Sequence, residues 1–372
     1  MKKIGILFIS LFLFSCSFKA GNNREPDYLK KLDEFDIQEI AVIPMDNIIT
    51  LAFEDDSFWK KYVKQDLAIF SSVFKNERKI KLTPYVMSKN IVSNELYSLV
   101  MENKSVSQNT KEFPKTVSWY DAIVFCNELT KKIFNENHCV YYSDESLKNP
   151  YTKTDASEKK EVFMAYDMTK KQFTKKGYRL PTEVEWEFAA RGGNPEDEAW
   201  SYSYSGASCN SEVYNSKNVS SDQLNPIFKK GNEYWVEGFL YIDPKINEYA
   251  NCTTVIAESY SMQKIGKKKP NSLGINDMSG TIFEWCQDGA EEDGLYPVDA
   301  ADLIYKIEGW IKNPLGPDVQ KAHVVRGGSY NTGAYTCSVF YRKFEKSTKN
   351  NSIGIRLCRS IQGEKINETE KQ

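Results

Sequence analysis

Apolar positions along the chain recur with two periods, and each predicts a different element. In SWYDAIVFCNELTKKIF, residues 118–134, Trp119, Ala122, Ile123, Cys126, Leu129 and Ile133 fall on one face at helical spacing. Ser118 stands where an N-cap belongs, and Asp121 follows three positions later to satisfy free first-turn amides. Cys126 belongs to the apolar stripe and reads as a buried side chain with no redox role. YRLPTEVEWEFAARGG, residues 178–193, repeats the logic. Thr182 caps, Glu185 completes a capping box, Trp186, Ala189 and Ala190 form the buried face, and Gly192 and Gly193 stop the helix with a left-handed turn. SNELYSLVM, residues 93–101, predicts another helix, and QEIAVIPMDNIITLAF, residues 38–53, predicts short strands around Pro44. The polar, aromatic-dotted stretch 225–254 lacks periodicity and reads as an insertion carrying a hairpin, and KIGKKKP, residues 264–270, reads as a solvated basic turn.

The N-terminus departs from this globular pattern. Lys2 and Lys3 precede the apolar run IGILFISLFLF, which has the size of a secretory signal core and is short for a membrane span. It ends in LFSC, which resembles the bacterial lipoprotein box, so Cys16 is the expected lipidation site and the membrane an expected partner through its acyl chains. The alternative is a plain signal peptide with an incidental cysteine. Residues 1–16 are thus read as signal and lipobox, 17–36 as a polar tether, 37–360 as one domain and 361–372 as a polar tail. The expected location is the bacterial cell envelope, lipid-anchored, on the periplasmic side or surface-exposed.

Composition excludes several classes. A formal net charge of −2 offers no basic field for nucleic acid. Two histidines, His138 and His323, make a histidine-rich metal centre unexpected. After Cys16 seven cysteines remain, at 126, 139, 209, 252, 286, 337 and 358, without a CxxC. An odd number cannot all pair within one chain, and spacing assigns no connectivity.

Five blocks in order carry a family resemblance: PYVMSKNIVSNELYSLVM, FPKTVSWYDAIVFCNELT, YRLPTEVEWEFAARGG, KKPNSLGINDMSGTIFEWCQDG, and VVRGGSYNTGAYTC with NNSIGIRLCRS. Together they resemble the sulfatase-modifying-factor, or formylglycine-generating-enzyme, family. The resemblance implies an α+β fold related to C-type lectins, with little regular secondary structure. It also implies a calcium site, whose matching positions in NDMSGTIFEW are Asp277, Gly280, Ile282 and Glu284. The carboxylates of Asp277 and Glu284 and the carbonyls of Gly280 and Ile282 are oxygen ligands of the kind Ca²⁺ takes, so Ca²⁺ is the expected cofactor.

The family's enzymes oxidise a cysteine of a client sulfatase to formylglycine with Cu(I) held between two thiolates. The matching positions here are Thr332 and Cys337, so one thiol is replaced by a hydroxyl, a poor ligand for a soft metal, and copper is not expected. No cysteine is evidently brought beside Cys337 by the sequence, whether Cys286 or Cys358. If the chain is active, Cys337 and Ser329 would be its catalytic residues. The iron-dependent, sulfur–carbon bond-forming branch of the fold is not expected. The loop also resembles the variable region of retroelement-diversified lipoproteins on this fold. In that group Ala334, Cys337, Val339 and Arg342 would be framework positions. Thr332, Gly333, Tyr335, Thr336 and Tyr341 would be varied ones. Tyrosine, asparagine, serine and glycine suit an adaptable binding surface. The expected ligand-binding residues are Tyr330, Asn331, Thr332, Gly333, Tyr335, Thr336, Ser338, Phe340 and Tyr341, for a protein or glycan ligand. The expectation is therefore a binding lipoprotein without copper chemistry, the alternative a formylglycine-generating oxidase.

Overall fold

The computed structural model describes residues 26–44, 49–50, 79–102, 106–208, 213–215, 239–241, 245–253, 261–290, 311–313, 315, 321–349 and 351–361. In chain order these form α1 (Pro26–Glu34), β1 (Glu39–Val42), β2 (Ile49–Thr50), β3 (Lys79–Lys81), β4 (Tyr85–Ser88), α2 (Asn94–Val100) and α3 (Trp119–Ile133). They continue with β5 (Tyr141–Tyr142), α4 (Lys153–Glu158), β6 (Phe163–Met164), β7 (Tyr166–Asp167), β8 (Gln172–Phe173), α5 (Glu183–Ala190), β9 (Val213–Asn215), β10 (Phe239–Tyr241) and α6 (Ile246–Tyr249). The last strands are β11 (Phe283–Ala290), β12 (Ile311–Lys312), β13 (Ala322–Arg326), β14 (Lys343–Lys346), β15 (Ile353–Gly354) and β16 (Cys358–Ser360). The fold is α+β with short strands, and among the described residues no helix is long and apolar enough to cross a membrane.

Local capping explains where the two main helices start. Ser118 Oγ accepts from the Asp121 amide at 3.1 Å and opens α3. Thr182 and Glu185 form the reciprocal box that opens α5, a device worth about 1 kcal/mol. Gly192 and Gly193 take φ values of 89° and 72°, the left-handed turn expected to end α5.

The four-stranded sheet has the order β14-β13-β11-β15. Its register sets Glu284 opposite Arg326 and Trp285 opposite Val325, so the expected calcium loop and the glycine-pair loop enter side by side. A second sheet, β1-β4-β16, ties the beginning of the domain to its end. Arg359 on β16 holds Glu39 on β1 at 2.7 Å, and Tyr28 and Tyr178 also donate to that carboxylate.

Helix α3 is the spine of the larger core, where its stripe packs with Trp285, Val325, Tyr341 and Ile355. Trp119 stacks on His323 with ring centroids 3.7 Å apart, and His323 Nδ1 lies 2.9 Å from Ser347 Oγ. Burial pulls the His323 pKa down to about 3, so the ring is neutral at physiological pH. His138, half-buried against Phe134, sits in a different neighbourhood.

One boundary differs from the expectation. The tether does not reach residue 36: α1 begins at Pro26, and Tyr28, Leu32 and Phe35, spaced four and three apart, bury an apolar stripe in the larger core. Strand β10, inside the stretch 225–254 where a hairpin is expected, pairs antiparallel with β9 upstream of that stretch, while residues 225–238 lie outside the described residues. Cys16, Cys209 and most of the insertion lie outside the described residues.

Candidate functional site

Helix α5 anchors the loop that follows the glycine pair. All eight of its residues are buried, including Glu183, Glu185 and Glu187, where the sequence pattern marks only an apolar face. Each carboxylate meets a buried guanidinium. Arg342 clasps Glu183 through Nε and Nη2, Arg326 reaches Glu187 through Nη2, and Arg191 bonds Glu187 at 2.9 Å. Arg179 forks onto Glu185 with two bonds of 2.7 Å. Arg326 also donates to the carbonyls of Val339 and Tyr341, both at 2.7 Å. The second half of the loop is therefore pinned from both ends by charge-assisted hydrogen bonds.

This pinning divides the residues expected to bind a ligand. Tyr330, Thr332 and Gly333 are half-buried and Asn331 is exposed, forming a rim. Thr336, Ser338, Phe340 and Tyr341 are buried, so the surface expected along the whole loop is not exposed at these four positions. Tyr341 belongs to the larger core, and Ser338 and Phe340 are carried inward with the backbone that Arg326 holds. The side chain of Tyr335 lies outside the described residues.

At the first copper-ligand position, the Thr332 hydroxyl is consumed by the turn itself. Its Oγ1 accepts from the Ser329 amide, donates to the Ser329 carbonyl, each at 3.0 Å, and sits 2.6 Å from Thr336 Oγ1. Ser329 is fully buried, and its own hydroxyl has no hydrogen-bond partner among the described residues.

Cys337 has a neighbour that the sequence reading did not bring to it. Cys252, at the C-terminal end of the insertion, lies within hydrogen-bonding reach of the Cys337 thiol, inside a small cluster with Tyr204, Ile246, Tyr249 and Ala250. The Cys337 hydrogen bond and burial push the Cys252 thiol well above its usual range. Backbone pairing makes the meeting: Thr253 bridges to Gly333, and its amide donates to the Thr332 carbonyl at 2.9 Å. Close packing of Cys337 against Gly328 leaves no space for a side chain there, since an added Cβ would stand 2.5 Å from the Cys337 sulfur. Cys126, Cys139, Cys286 and Cys358 are buried elsewhere and unpaired.

The four expected calcium positions do share one loop, but their charge is already matched. Both oxygens of Glu284 are engaged by Arg356, at 2.6 and 2.8 Å, and Oε2 also accepts from Trp186 Nε1 at 2.6 Å. The same guanidinium donates to the carbonyls of Ser88, Lys89 and Asn276. Asp277, at φ 58°, accepts from the Gly266 amide at 2.6 Å, and burial raises its pKa despite that bond. Gly280 is pressed on Asn251, where an added Cβ would be 2.2 Å from its carbonyl oxygen, and Ile282 is fully buried. As arranged, these residues do not fit Ca²⁺: the cation's place beside Glu284 is taken by Arg356. Among the described residues no cluster of three or more His, Cys, Asp or Glu stands ready for a metal.

With short strands, buried carboxylate–guanidinium pairs and a glycine-pair loop beside the β11–β13 ladder, this is the architecture of the sulfatase-modifying factor enzyme 1-like domain. Residues 65–361 match that family, and the chain belongs to it. Over 289 residues the chain is 27% identical to chaperone protein LppX of Paenibacillus barcinonensis, covering 77% of this chain and 83% of that protein. It is 28% identical to the formylglycine-generating enzyme of Streptomyces coelicolor over 154 residues, 41% of this chain and only 36% of that enzyme. Among solved structures, Treponema denticola variable protein 1 superimposes with a TM-score of 0.55 at 21% identity, over 87% of this chain and 95% of that one. CarF superimposes with a TM-score of 0.53 at 20% identity, over 88% and 100%.

Proposed function

We propose that the protein is an envelope lipoprotein, anchored through acylated Cys16, whose sulfatase-modifying-factor domain holds a protein or glycan ligand on the rim Tyr330–Gly333. It performs no copper oxidation. The observation that carries this reading is the Thr332 hydroxyl: it stands where the family's oxidases place a thiolate, and its hydrogen bonds are spent on the Ser329 turn. The rim supplies what an adaptable surface needs, an aromatic ring, an exposed amide side chain and a glycine, on a base that cannot shift. A relative named as a chaperone over most of this chain, and a variable protein with the same fold, support binding over turnover.

One observation favours a second reading, a formylglycine-generating oxidase. Cys252 gives Cys337 a second sulfur from another segment, and two sulfurs suit Cu(I). In that reading the chain's own part is to hold the pair dry. Incubating the copper-loaded, reduced protein with a sulfatase-motif peptide separates the two. No aldehyde above a Cys337→Ser control is the expected result, and aldehyde that disappears in that variant refutes the binding-only reading.

A further inference from the structure

The Cys252–Cys337 meeting has a consequence that neither reading requires. The two residues are 85 positions apart in sequence, on segments joined otherwise by one backbone bridge at Thr253–Gly333 and by the Thr253 hydroxyl, which donates to the Tyr330 carbonyl. Both thiols are buried and within hydrogen-bonding reach of each other, in a cluster with Tyr204, Ile246 and Tyr249. Cys337 is held in place from behind, its carbonyl accepting from Ser279 Oγ at 2.9 Å. Cys252 is flanked by Asn251, whose carbonyl accepts from the Thr281 amide at 2.7 Å. The backbone on both sides of the thiol pair is thus held by hydrogen bonds.

We propose that Cys252 and Cys337 close into a disulfide that staples the end of the insertion to the base of the candidate binding loop. The proposal rests on the envelope location, since such bonds persist where thiols are not kept reduced. Two S–H bonds and the S–S bond of a disulfide oxidant give way to the Cys252–Cys337 S–S bond and the two S–H bonds of the departing dithiol, which takes up the two electrons and the two protons. Closure belongs to folding, before the pocket dries: once buried, a thiol whose pKa is raised forms little of the attacking thiolate. The staple closes a long loop, the kind whose entropy in the unfolded chain a cross-link reduces most. All six described cysteines, Cys252 and Cys337 included, are free thiols in this structure, and Cys252 and Cys337 are the pair whose thiols lie within hydrogen-bonding reach of each other. The structural effect falls on the rim, because Thr332 and Gly333 are the residues that the Cys252 segment pairs with.

The test uses the full chain recovered from the membrane fraction, quenched in acid, unfolded and alkylated without reductant, then reduced and alkylated with a second reagent. Cys252 and Cys337 are expected to carry the second label, and Cys126, Cys139, Cys286 and Cys358 the first. Reductant should lower the thermal midpoint by roughly 5–10 °C in the native chain and by nothing in a Cys252→Ala, Cys337→Ala double variant. First label on both cysteines of membrane-derived protein overturns the proposal, and one bound copper per chain in that sample favours the oxidase. If the chain is absent from the membrane fraction, the location reading fails by itself. The reduced chain refolded with oxidised glutathione then decides: a linked Cys252–Cys337 peptide supports the pair, and its absence overturns it.

Discussion

The loop after Arg326 contains two regions of opposite physical character within a dozen residues. From Thr336 to Arg342 the chain is dry, its side chains buried and its carbonyls held by Arg326. From Tyr330 to Gly333 it is half-buried to exposed, held by bonds within its own turn, by the Tyr330 amide on the Thr281 carbonyl and by the two from Thr253. A binding surface needs this division. Side chains on the rim can vary without unfolding anything, provided the base is over-determined. The difference also says where catalysis would have to occur, since the sulfur pair lies on the dry side and the hydroxyl of Thr332 at the border.

The largest effect is expected from breaking the base. Glu187→Ala leaves Arg326 and Arg191 buried without their shared carboxylate, and an uncompensated buried charge costs about 3–5 kcal/mol. The thermal midpoint should fall by roughly 10 °C, with the far-ultraviolet spectrum unchanged below the transition. A fall under about 2 °C would mean that the pair does not anchor the loop. Arg356→Met is expected to cost as much, because it strands Glu284. A chelator added to the unmodified protein should leave the midpoint in place, and a drop would put calcium where the guanidinium stands.

How much of this was legible in the sequence follows from how far each interaction reaches. Helices α3 and α5 were legible because their caps and stripes are local: Ser118 with Asp121, and Thr182 with Glu185, act within three residues. Apart from Arg191, four positions from Glu187, the partners of Glu183 and Glu187 were not, since Arg342 and Arg326 lie more than a hundred positions away and no period announces them. Thr332 in place of a thiol could be read from one aligned position. Cys252 could not, because it ends a stretch without periodicity and reaches Cys337 only through the Thr253–Gly333 bridge. An odd thiol count was the available signal, but it named no pair. The calcium positions were legible as a loop, but the guanidinium that engages Glu284 was not, because Arg356 lies 72 positions away in sequence.

An intermediate effect sharpens the contrast by measuring dryness directly. His323, one turn of strand before the loop, is uncharged in the folded protein down to about pH 3, while an unfolded histidine takes a proton near pH 6.5. Below about pH 6.5 the unfolded state therefore binds a proton that the folded state refuses. Stability should fall by up to about 1.4 kcal/mol per pH unit from this group, until the folded ring also titrates. Glu39 joins lower down. Burial pushes its carboxyl up, but Arg359, Tyr28 and Tyr178 draw it below its ordinary value, so its contribution is present above about pH 4.5 and lost beneath it. Urea midpoints measured between pH 7 and 4.5 also contain His138, whose pKa burial lowers, and Asp277, whose pKa burial raises, so His323 is read from the difference between the native chain and a variant. His323→Phe, which keeps a ring against Trp119, should flatten that part of the profile, and an unchanged slope would show that water reaches the sheet.

The smallest expected change in stability comes from the rim, and it is the most informative about function. Tyr330→Ala with Asn331→Ala removes a half-buried ring and an exposed amide, neither of which makes a side-chain hydrogen bond among the described residues. Surface substitutions away from caps and buried networks move stability by about 0.5 kcal/mol or less. The midpoint should therefore stay within roughly 2 °C of the native chain. If the rim is the ligand surface, recovery of the ligand by the immobilised domain should fall at least tenfold in this variant, with Glu345→Ala on the half-buried face of β14 as a control that leaves capture intact. Equal capture by rim variant and native chain would move the binding surface elsewhere on the domain. A large loss of stability would instead show that the rim shares the anchoring of the base, and the division between the two halves of the loop would be wrong.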